Sequence, residues 1–262
     1  MNSQQPTSND VIILLATYNE IDNLPQLVEE LLSTLPKANV LIVDDNSPDG
    51  TGTWALEKSR REPRVKTIVR ENERGLGSAV IRGLTYAIDN NYRLAVNMDA
   101  DFSHSVQDVP RLIERVDQPG SETDVAIGSR YIRGGSVPDW SLRRRVMSRC
   151  INGLARAALG LKTKDNSGSF RCYRVSVLRD LDFAKFISTG YSFFEEMLFR
   201  LKLANARFAE IPIVFLDRKE GSSKINRIEA VKAVWTILKL GTTRSLFHAP
   251  NSRSPINAKD GI

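Results

Sequence analysis

The chain has 262 residues and a formal charge of +6, with 41% hydrophobic and 26% charged residues. This composition is typical of a globular protein and excludes disordered, fibrous and disulfide-framed chains. Charged residues interrupt every apolar stretch before the ~18 residues that a membrane-spanning helix needs. Residues 1–10 also lack the features of a secretory signal, so we expect a protein inside the cell whose two cysteines stay reduced.

The first half of the sequence alternates short β-branched runs with amphipathic stretches, as βαβ units on a parallel sheet do. The runs predict strands at residues 11–16, 40–43, 65–69, 94–98 and 125–128. The stretches between them predict helices at residues 24–35, 50–60, 75–90 and 108–116. We therefore predict an α/β fold with a mostly parallel sheet and helices on both faces.

The second half predicts fewer strands and longer helices. Its predicted elements are a helix at 141–159, a strand at 169–173, a helix at 193–204, a strand at 207–216, a loop at 218–224 and a helix at 226–240. The last helix is amphipathic, with one apolar side made of Ile228, Val231, Val234, Trp235 and Leu238. The polar, proline-containing tail 245–262 is expected to be disordered, and residues 1–10 to be flexible.

Positive charge is concentrated in one part of the chain. Residues 129–164 contain nine lysines and arginines and a single acid, Asp139. Such a local excess favours an anionic partner, such as a phosphate-bearing ligand or a lipid surface. A solvated helix face would give the same pattern, and charge alone does not separate the two interpretations.

Polar and acidic side chains follow three of the predicted strands. Ligands of such sheets bind beyond the carboxyl ends of the strands, where Glu20, Asp45, Asp99 and Asp101 are expected. Carboxylates gathered at one edge repel each other unless a cation joins them, so Asp99 and Asp101 are candidate ligands of a hard metal ion. An Asp-x-Asp triplet is also an ordinary turn sequence.

Several other chemistries are excluded or disfavoured. The first strand-to-helix turn has no glycine, so the Gly-x-Gly-x-x-Gly turn of a dinucleotide fold is absent there. Gly75-Leu76-Gly77 is interpreted as a helix entry with close packing. No Walker A sequence, serine elbow or Cys/His pair is present.

Taken together, the motifs resemble a known family. They are 16-Ala-Thr-Tyr-Asn-Glu-20, 43-Val-Asp-Asp-Asn-Ser-Pro-Asp-Gly-Thr-51, 98-Met-Asp-Ala-Asp-Phe-Ser-His-104 and 128-Gly-Ser-Arg-Tyr-131. The likeness continues through residues 140–149, 168–171 and 190–191, and through Asp217-Arg218 with Gly221 and Lys224. The chain thus resembles the inverting GT-A glycosyltransferases of family 2, and within them the polyprenyl (dolichyl) phosphate mannose synthases, from residue 11 to about 243.

The resemblance implies roles for individual residues. Tyr18, Glu20 and Asp45 would hold the base and ribose of the nucleotide. Asp99 and Asp101 would bind Mg²⁺ or Mn²⁺ with the donor diphosphate. The full nucleotide-sugar set would be Ala16, Tyr18, Glu20, Val43, Asp45, Asp99, Ala100 and Asp101. The acceptor phosphate set would be Arg130, Arg144, Arg218 and Lys224, and the catalytic set Asp101, Arg130, Arg218 and Lys224.

The implied reaction transfers mannose from GDP-mannose to a polyprenyl phosphate. Residues 11–224 would form a single catalytic GT-A domain, and 225–244 an amphipathic helix that contacts the membrane or packs on the domain. The enzyme would act peripherally on the cytoplasmic face of the membrane, directly or through a small membrane subunit.

Departures from the family pattern and rival classes leave alternatives open. Asn46 replaces a usual glycine or alanine, where asparagine tolerates left-handed backbone, and Ser103 replaces a glutamine ligand of some relatives. Glu196 matches a family acid, but Glu195 or Glu196 could equally be a solvated helix residue. A sugar nucleotidyltransferase would need an early glycine-rich basic loop, and a nucleic-acid binder would need aromatics among its arginines; neither is found. A polyprenyl phosphate glucosyltransferase that uses UDP-glucose remains the nearest alternative.

Overall fold

The computed structural model describes residues 10–188, 190, 192–217 and 227–243, with the side chains of 234–242 in the last helix. Seven strands of this part form one sheet in the order β3-β2-β1-β4-β6-β5-β7. Their bounds are β1 Val11–Thr17, β2 Asn39–Asp44, β3 Val65–Val69, β4 Leu94–Asp99, β5 Val125–Ser129, β6 Arg171–Arg174 and β7 Phe208–Pro212.

Helices cover both faces of the sheet, as the sequence predicts. Their bounds are α1 Leu24–Thr34, α2 Thr51–Arg61, α3 Leu76–Asp89, α4 Val109–Asp117, α5 Leu142–Leu159, α6 Val175–Leu178, α7 Phe193–Leu203 and α8 Arg227–Thr243. One apolar core joins the sheet to α1, α2 and α4, and the other joins it to α3, α5, α7 and α8. Short 3-10 helices at Val106–Asp108 and Phe183–Lys185 complete the structure.

Strand register brings the predicted site residues to one edge. Strands β1, β2 and β4 run parallel, and Thr17 lies opposite Asp44 while Ala16 lies opposite Asp99. The turns that follow these strands therefore leave the sheet at the same end. This edge is where ligands bind in open α/β sheets.

The interior strand β6 runs antiparallel to both neighbours, β4 and β5. After α5 the chain returns to the carboxyl end of β5, where Arg171 lies opposite Ile127. A strand that starts at this end must run backwards through the sheet. Hydrophobic runs carry no information on strand direction, so the sequence predicts this strand but not its orientation.

The second half differs from prediction in two further places. Strand β7 ends at Pro212, where its partner β5 also ends, instead of continuing to residue 216, and residues 213–215 pair with Ser136 outside the sheet. Helix α8 buries Ile237 and Leu240 against the domain, while Trp235 and Leu238 from the predicted apolar side are exposed. The side chains of Ile228 and Val231 lie outside the described residues. None of the described helices is long and apolar enough to cross a membrane.

Candidate active site at the carboxyl edge of the sheet

Asp44 organises the first two turns of the edge. Its buried carboxylate accepts hydrogen bonds from the Thr17 hydroxyl at 2.8 Å, the Ser47 hydroxyl at 2.6 Å and the Ser47 N–H at 2.8 Å. The Ser47 hydroxyl in turn accepts the N–H of Asn19 at 3.0 Å. The Asp44 carboxylate therefore fixes the shape of the two turns.

Asp49 and Thr51 pin the same turns from the start of α2. The Asp49 carboxylate accepts the Ile21 N–H at 3.1 Å, and the Thr51 hydroxyl accepts the Glu20 N–H at 3.0 Å. Burial works to raise the pKa of Asp49, but hydrogen bonds from Thr51 and Ile21 outweigh it and lower that pKa below its usual value. The Ser-Pro-Asp-Gly-Thr motif thus holds the segment that carries Tyr18 and Glu20.

Asp45 faces a second group of partners. Its carboxylate forms a buried ion pair with Arg70 and accepts the Gly75 N–H at 2.8 Å. Gly75 has a φ of +132°, and a Cβ on Gly77 would come within 3.1 Å of Phe193, so the predicted helix entry with close packing is confirmed. Arg74 lies over the Tyr18 ring, 5.1 Å from its centroid. The predicted nucleotide residues Tyr18 and Asp45 are thus both held by arginines or main chain from the β3–α3 turn.

Two other residues of the predicted nucleotide set belong to the hydrophobic cores. Val43 and Ala100 are buried, one in each core, and Ala16 packs partly against the core that contains Val43. A contact between a nucleotide and Val43 or Ala100 would therefore involve the main chain. Asn46 has a φ of +53°, as predicted for the asparagine at that position.

Asp99 and Asp101 lie on the turn that leaves β4. Asp101 is buried and accepts the Ser103 N–H at 3.0 Å, while Asp99 is more exposed. The Asp99 N–H donates to Nδ1 of His104 at 3.3 Å, which leaves the ring proton on Nε2. Burial lowers the pKa of His104, so the ring is neutral and packs against Phe170 with centroids 4.7 Å apart.

The donor set of this turn fits Mg²⁺ or Mn²⁺. Asp99 and Asp101 supply carboxylate oxygens, the ligands that these hard cations prefer. The Ser103 hydroxyl is buried without a hydrogen-bond partner in the described structure, two residues from Asp101. Among the residues described, no group of three or more His, Cys, Asp or Glu side chains could hold a metal ion. A bound cation would therefore need further oxygen ligands from a bound substrate or from water.

Arg130 lies at the end of β5 in a buried ion pair with Asp165. Its Nε and Nη2 donate to the two carboxylate oxygens, each at 2.7 Å, and its N–H donates at 2.9 Å. Burial alone would raise the pKa of Asp165 and lower that of Arg130. Mutual attraction and hydrogen bonds outweigh burial, so the pKa of Asp165 is lowered, that of Arg130 is raised, and both are charged.

Aromatic rings connect the Asp99 turn to the arginine-rich helix. Phe215 contacts the rings of His104 and Trp140, with centroids 5.3 and 5.6 Å apart. The Arg130 guanidinium lies over Trp140 at 5.4 Å and over Phe215 at 5.5 Å. The structure thus brings Arg130 beside the predicted metal residues.

Arg144 joins the same cluster from the first turn of α5. Its guanidinium lies 3.9 Å from the Trp140 centroid, and its Nη1 donates to the Asp217 carboxylate at 2.8 and 3.0 Å. The predicted phosphate contacts Arg218 and Lys224 lie outside the described residues, as does Tyr191. Asp217 is the last described residue before Arg218.

Glu196 is buried, not solvated. Its carboxylate accepts the N–H groups of Ile187 and Ser188 and the guanidinium of Arg200. These partners are internal to the fold, so they give Glu196 a structural role in holding the segment before α7.

Sequence reasoning missed the partners that fix the site. The motifs do not identify Asp165. The polar run Asp165-Asn166-Ser167 lies just before a predicted strand and is a signal for a buried turn. Arg70, the partner of Asp45, follows β3 and carries no local signal. A long-range ion pair leaves no pattern in one sequence, because its members are far apart along the chain.

Comparison with known proteins gives concordant results. Residues 12–182 match the family model "Glycosyl transferase family 2". The chain is 37% identical over 231 residues to an undecaprenyl-phosphate mannosyltransferase of Micrococcus luteus, covering 88% of this chain and 93% of that protein. It is 36% identical over 246 residues to a polyprenol monophosphomannose synthase of Mycolicibacterium smegmatis, covering 94% and 91%.

Solved structures agree on the fold. A glucosyl-3-phosphoglycerate synthase of Mycobacterium tuberculosis with UDP matches with a TM-score of 0.65 at 14% identity, covering 89% of this chain and 80% of that chain. The same enzyme with Mn²⁺, UDP and glucosyl-3-phosphoglycerate matches with a TM-score of 0.61 at 15% identity, covering 93% and 82%. The predicted GT-A architecture is thereby confirmed. The sequence relatives confirm the family that the motifs indicate, and the chain belongs to glycosyl transferase family 2 as a glycosyltransferase.

Proposed function

We propose that this enzyme transfers mannose from GDP-mannose to the phosphate of a polyprenyl phosphate, giving a β-linked lipid product and GDP. The observation that carries the proposal is the match, over most of both chains, to relatives named as polyprenyl-phosphate mannosyltransferases. The arrangement of carboxylates and arginines around one edge of the sheet supports it. A phosphate monoester has its second pKa near ~6, so the acceptor is already anionic and needs no strong general base.

The residues of this chain would position two anionic substrates against each other. Tyr18, Glu20 and Asp45 would hold the nucleoside, on turns fixed by Asp44 and Asp49. Arg130 would face the acceptor phosphate from its buried position, where Asp165 fixes the guanidinium plane. Such fixed guanidinium groups stabilise charge without reorganising during the reaction.

Asp99 and Asp101 would hold the divalent cation. When bound, the cation neutralises charge on the diphosphate leaving group. The neutral His104 keeps the turn in shape through its bond to the Asp99 N–H, and the buried Asp101 fixes the turn through the Ser103 N–H.

The direct test compares donors with the purified protein. Incubation with Mn²⁺ and a polyprenyl phosphate should give lipid-linked mannose from GDP-mannose, with a β anomeric carbon by NMR. Calorimetry with Mn²⁺ should show tighter binding of GDP than of UDP. Transfer from UDP-glucose with equal or greater kcat/KM would replace the proposal by the glucosyltransferase alternative.

We also propose that the enzyme meets its lipid at the cytoplasmic membrane surface through α5 and α8. Leu142 is 76% exposed on the first turn of α5, and Val146 and Met147 follow it on the same helix. Arg143 and Arg149 are exposed between and beyond them. Apolar side chains beside basic charge are typical of helices that lie in an anionic membrane interface.

Helix α8 extends this surface. It packs along α5, where Gly241 contacts Ala158, and it leaves Trp235 and Leu238 exposed. Trp235 carries Lys239 over its ring at 4.8 Å. An exposed tryptophan beside a lysine suits the interface between headgroups and acyl chains.

Vesicle flotation tests the surface. Wild type should float with anionic vesicles in low salt, and the double variant Leu142→Ser, Val146→Ser should not. Leu56→Ser, which removes an exposed leucine from α2, is the matched control and should float like wild type. Failure of wild type to bind vesicles, with binding restored by native membranes, would instead assign the contact to a membrane subunit.

A further inference from the structure

A second carboxylate lies beneath the site, in the core between β6 and α7. Glu195 is 2% exposed, and its Oε2 has no hydrogen-bond partner within the described structure. Its neighbour Glu196 faces Ile187, Ser188 and Arg200 on the other side of α7. Burying a carboxylate oxygen without a hydrogen-bond partner is costly, so its presence calls for an explanation.

Arg171 of β6 places a buried positive charge against α7, one residue before Glu195. Arg171 is fully buried, and its guanidinium donates to the carbonyl of Phe194 at 2.9 Å and to the carbonyl of Asn166 at 2.7 Å. Both partners are neutral. An arginine cannot lose its proton in a protein, so this positive charge is permanent.

Arg171 connects Glu195 to the Arg130–Asp165 pair. The Arg171 guanidinium binds the carbonyl of Asn166, which directly follows Asp165, and Asp165 holds Arg130. The charges of Arg171, Asp165 and Arg130 all act on Glu195. Tyr173, the other titratable group of β6 in this layer, stays neutral because burial raises its pKa.

The charge of this cluster depends on one proton. Arg130 and Arg171 are positive and Asp165 is negative, so the cluster has one net positive charge while Glu195 is neutral. Ionisation of Glu195 brings that net charge to zero. Because the interior screens charge poorly, this change of one charge alters the electrostatic potential at Arg130, where the acceptor phosphate is proposed to bind.

We propose that Glu195 controls anion binding at Arg130 by its protonation, with the protonated form favouring the phosphate-bound state. The inference rests on the proposed function, since it takes Arg130 as the phosphate contact. Glu195 itself does not touch substrate and acts through the charges of Arg171, Asp165 and Arg130. Burial raises the pKa of Glu195 to about 7, which places the transition within the physiological range.

The test compares wild type with Glu195→Gln, which mimics the protonated acid in size and charge. We expect equal kcat/KM for the lipid phosphate near pH 6. Near pH 8 the variant should exceed wild type by about three- to tenfold, the order expected for one charge in a medium of effective dielectric ~20. The ratio of the two enzymes cancels the ionisation of the substrate, and Glu57→Gln on α2 is a matched surface control. A ratio that stays constant from pH 6 to pH 8 overturns the proposal.

A second measurement keeps the test valid if the variant is poorly folded. Inorganic sulfate does not titrate in this range, so its binding to wild type isolates the protein's own protons. Calorimetry in buffers of different ionisation enthalpy should show proton uptake on sulfate binding near pH 7.5, and binding without uptake refutes the proposal. Absence of mannose transfer with the uptake retained would overturn the proposed function and leave the charge control standing.

Discussion

Two buried aspartates on either side of the site have opposite surroundings. Asp44, at the end of β2, accepts only neutral donors from Thr17 and Ser47. Asp165, before β6, is paired with the charged Arg130 from a different part of the chain. The turn around Asp44 is thus held by neutral hydrogen bonds, whereas the turn around Asp165, on the proposed acceptor side, is held by a buried ion pair.

The two aspartates therefore have different tasks: Asp44 fixes the shape of a turn, and Asp165 balances a buried charge. A turn fixed by neutral hydrogen bonds can position a nucleotide at any pH. A cluster of buried charges can instead respond to anions and protons, because removing or adding one charge changes the potential of the whole group. Mutations on the two sides should therefore fail in different ways.

The largest expected effect lies between the two sides, at Asp101. Asp101→Asn should reduce transfer by about two to three decades, because a bound cation supplies several kcal/mol to the transition state. Its melting temperature should stay close to that of wild type, since an asparagine oxygen can still accept the Ser103 N–H. Asp89→Asn, at the exposed end of α3, is the control. Near wild-type turnover with Mg²⁺ would rule out Asp101 as a metal ligand.

The second prediction compares the two aspartates directly by urea denaturation. Asp165→Asn should lower the free energy of unfolding by about 3–5 kcal/mol, because Arg130 is left as an unpaired buried charge. Asp44→Asn should cost only about 1–2 kcal/mol, because its partners are neutral and an amide can keep part of the network. Equal losses in the two variants would mean that charge does not distinguish the two sides.

The same contrast explains what the sequence predicts. Ser47 bonds to Asp44, and Thr51 to Asp49, within three residues, so the motif that contains them predicts the turn and its place after the strand. The Asp99 and Asp101 turn is found for the same reason. The bonds from the motif of residues 47–51 to residues 19–21 span 28 to 31 positions and are not predicted by it. Asp165 and Arg130 lie 35 positions apart, and the antiparallel direction of β6, which brings them together, is not encoded in any local pattern.

The role of Glu195 is also not predictable from the sequence, because its neighbours along the helix are mostly apolar. Glu195 lies in the sequence Phe-Phe-Glu-Glu-Met. The pattern of this helix does not reveal which of the two adjacent acids has a buried oxygen without a hydrogen-bond partner in the described structure. Only the packing of α7 against β6 separates Glu195, beside Arg171, from Glu196, which is satisfied by Arg200.

The third prediction concerns the pH dependence of stability. Burial raises the pKa of Glu195 from 4.5 to about 7. Below pH 4.5 the side chain is protonated in both the folded and the unfolded protein, and stability is at its full value. As the pH rises towards 7 the unfolded chain releases this proton first, so the free energy of unfolding falls. The free energy of unfolding of wild type should therefore fall, relative to Glu195→Gln, by up to about 3 kcal/mol between pH 5 and pH 8. Urea denaturation at several pH values measures this difference. Parallel curves for the two proteins would contradict a buried, titrating Glu195.

The smallest expected effect is at Arg144, on the rim of the charged side. The guanidinium is held by Trp140 and Asp217, so a phosphate must compete with an existing ion pair, and only part of a charge-assisted hydrogen bond is gained. Arg144→Ala should raise the KM for lipid phosphate by about tenfold and leave nucleotide affinity unchanged. Arg156→Ala removes an exposed charge from the last turn of the same helix, beyond the residues of α5 proposed to contact the membrane, and should change the KM by less than about twofold. If both variants raise the KM equally, the arginines attract the membrane in general and Arg144 has no specific phosphate contact. If Arg144→Ala weakens nucleotide binding instead, the arginine belongs to the donor side, and the boundary between the two halves of the site lies nearer to α5.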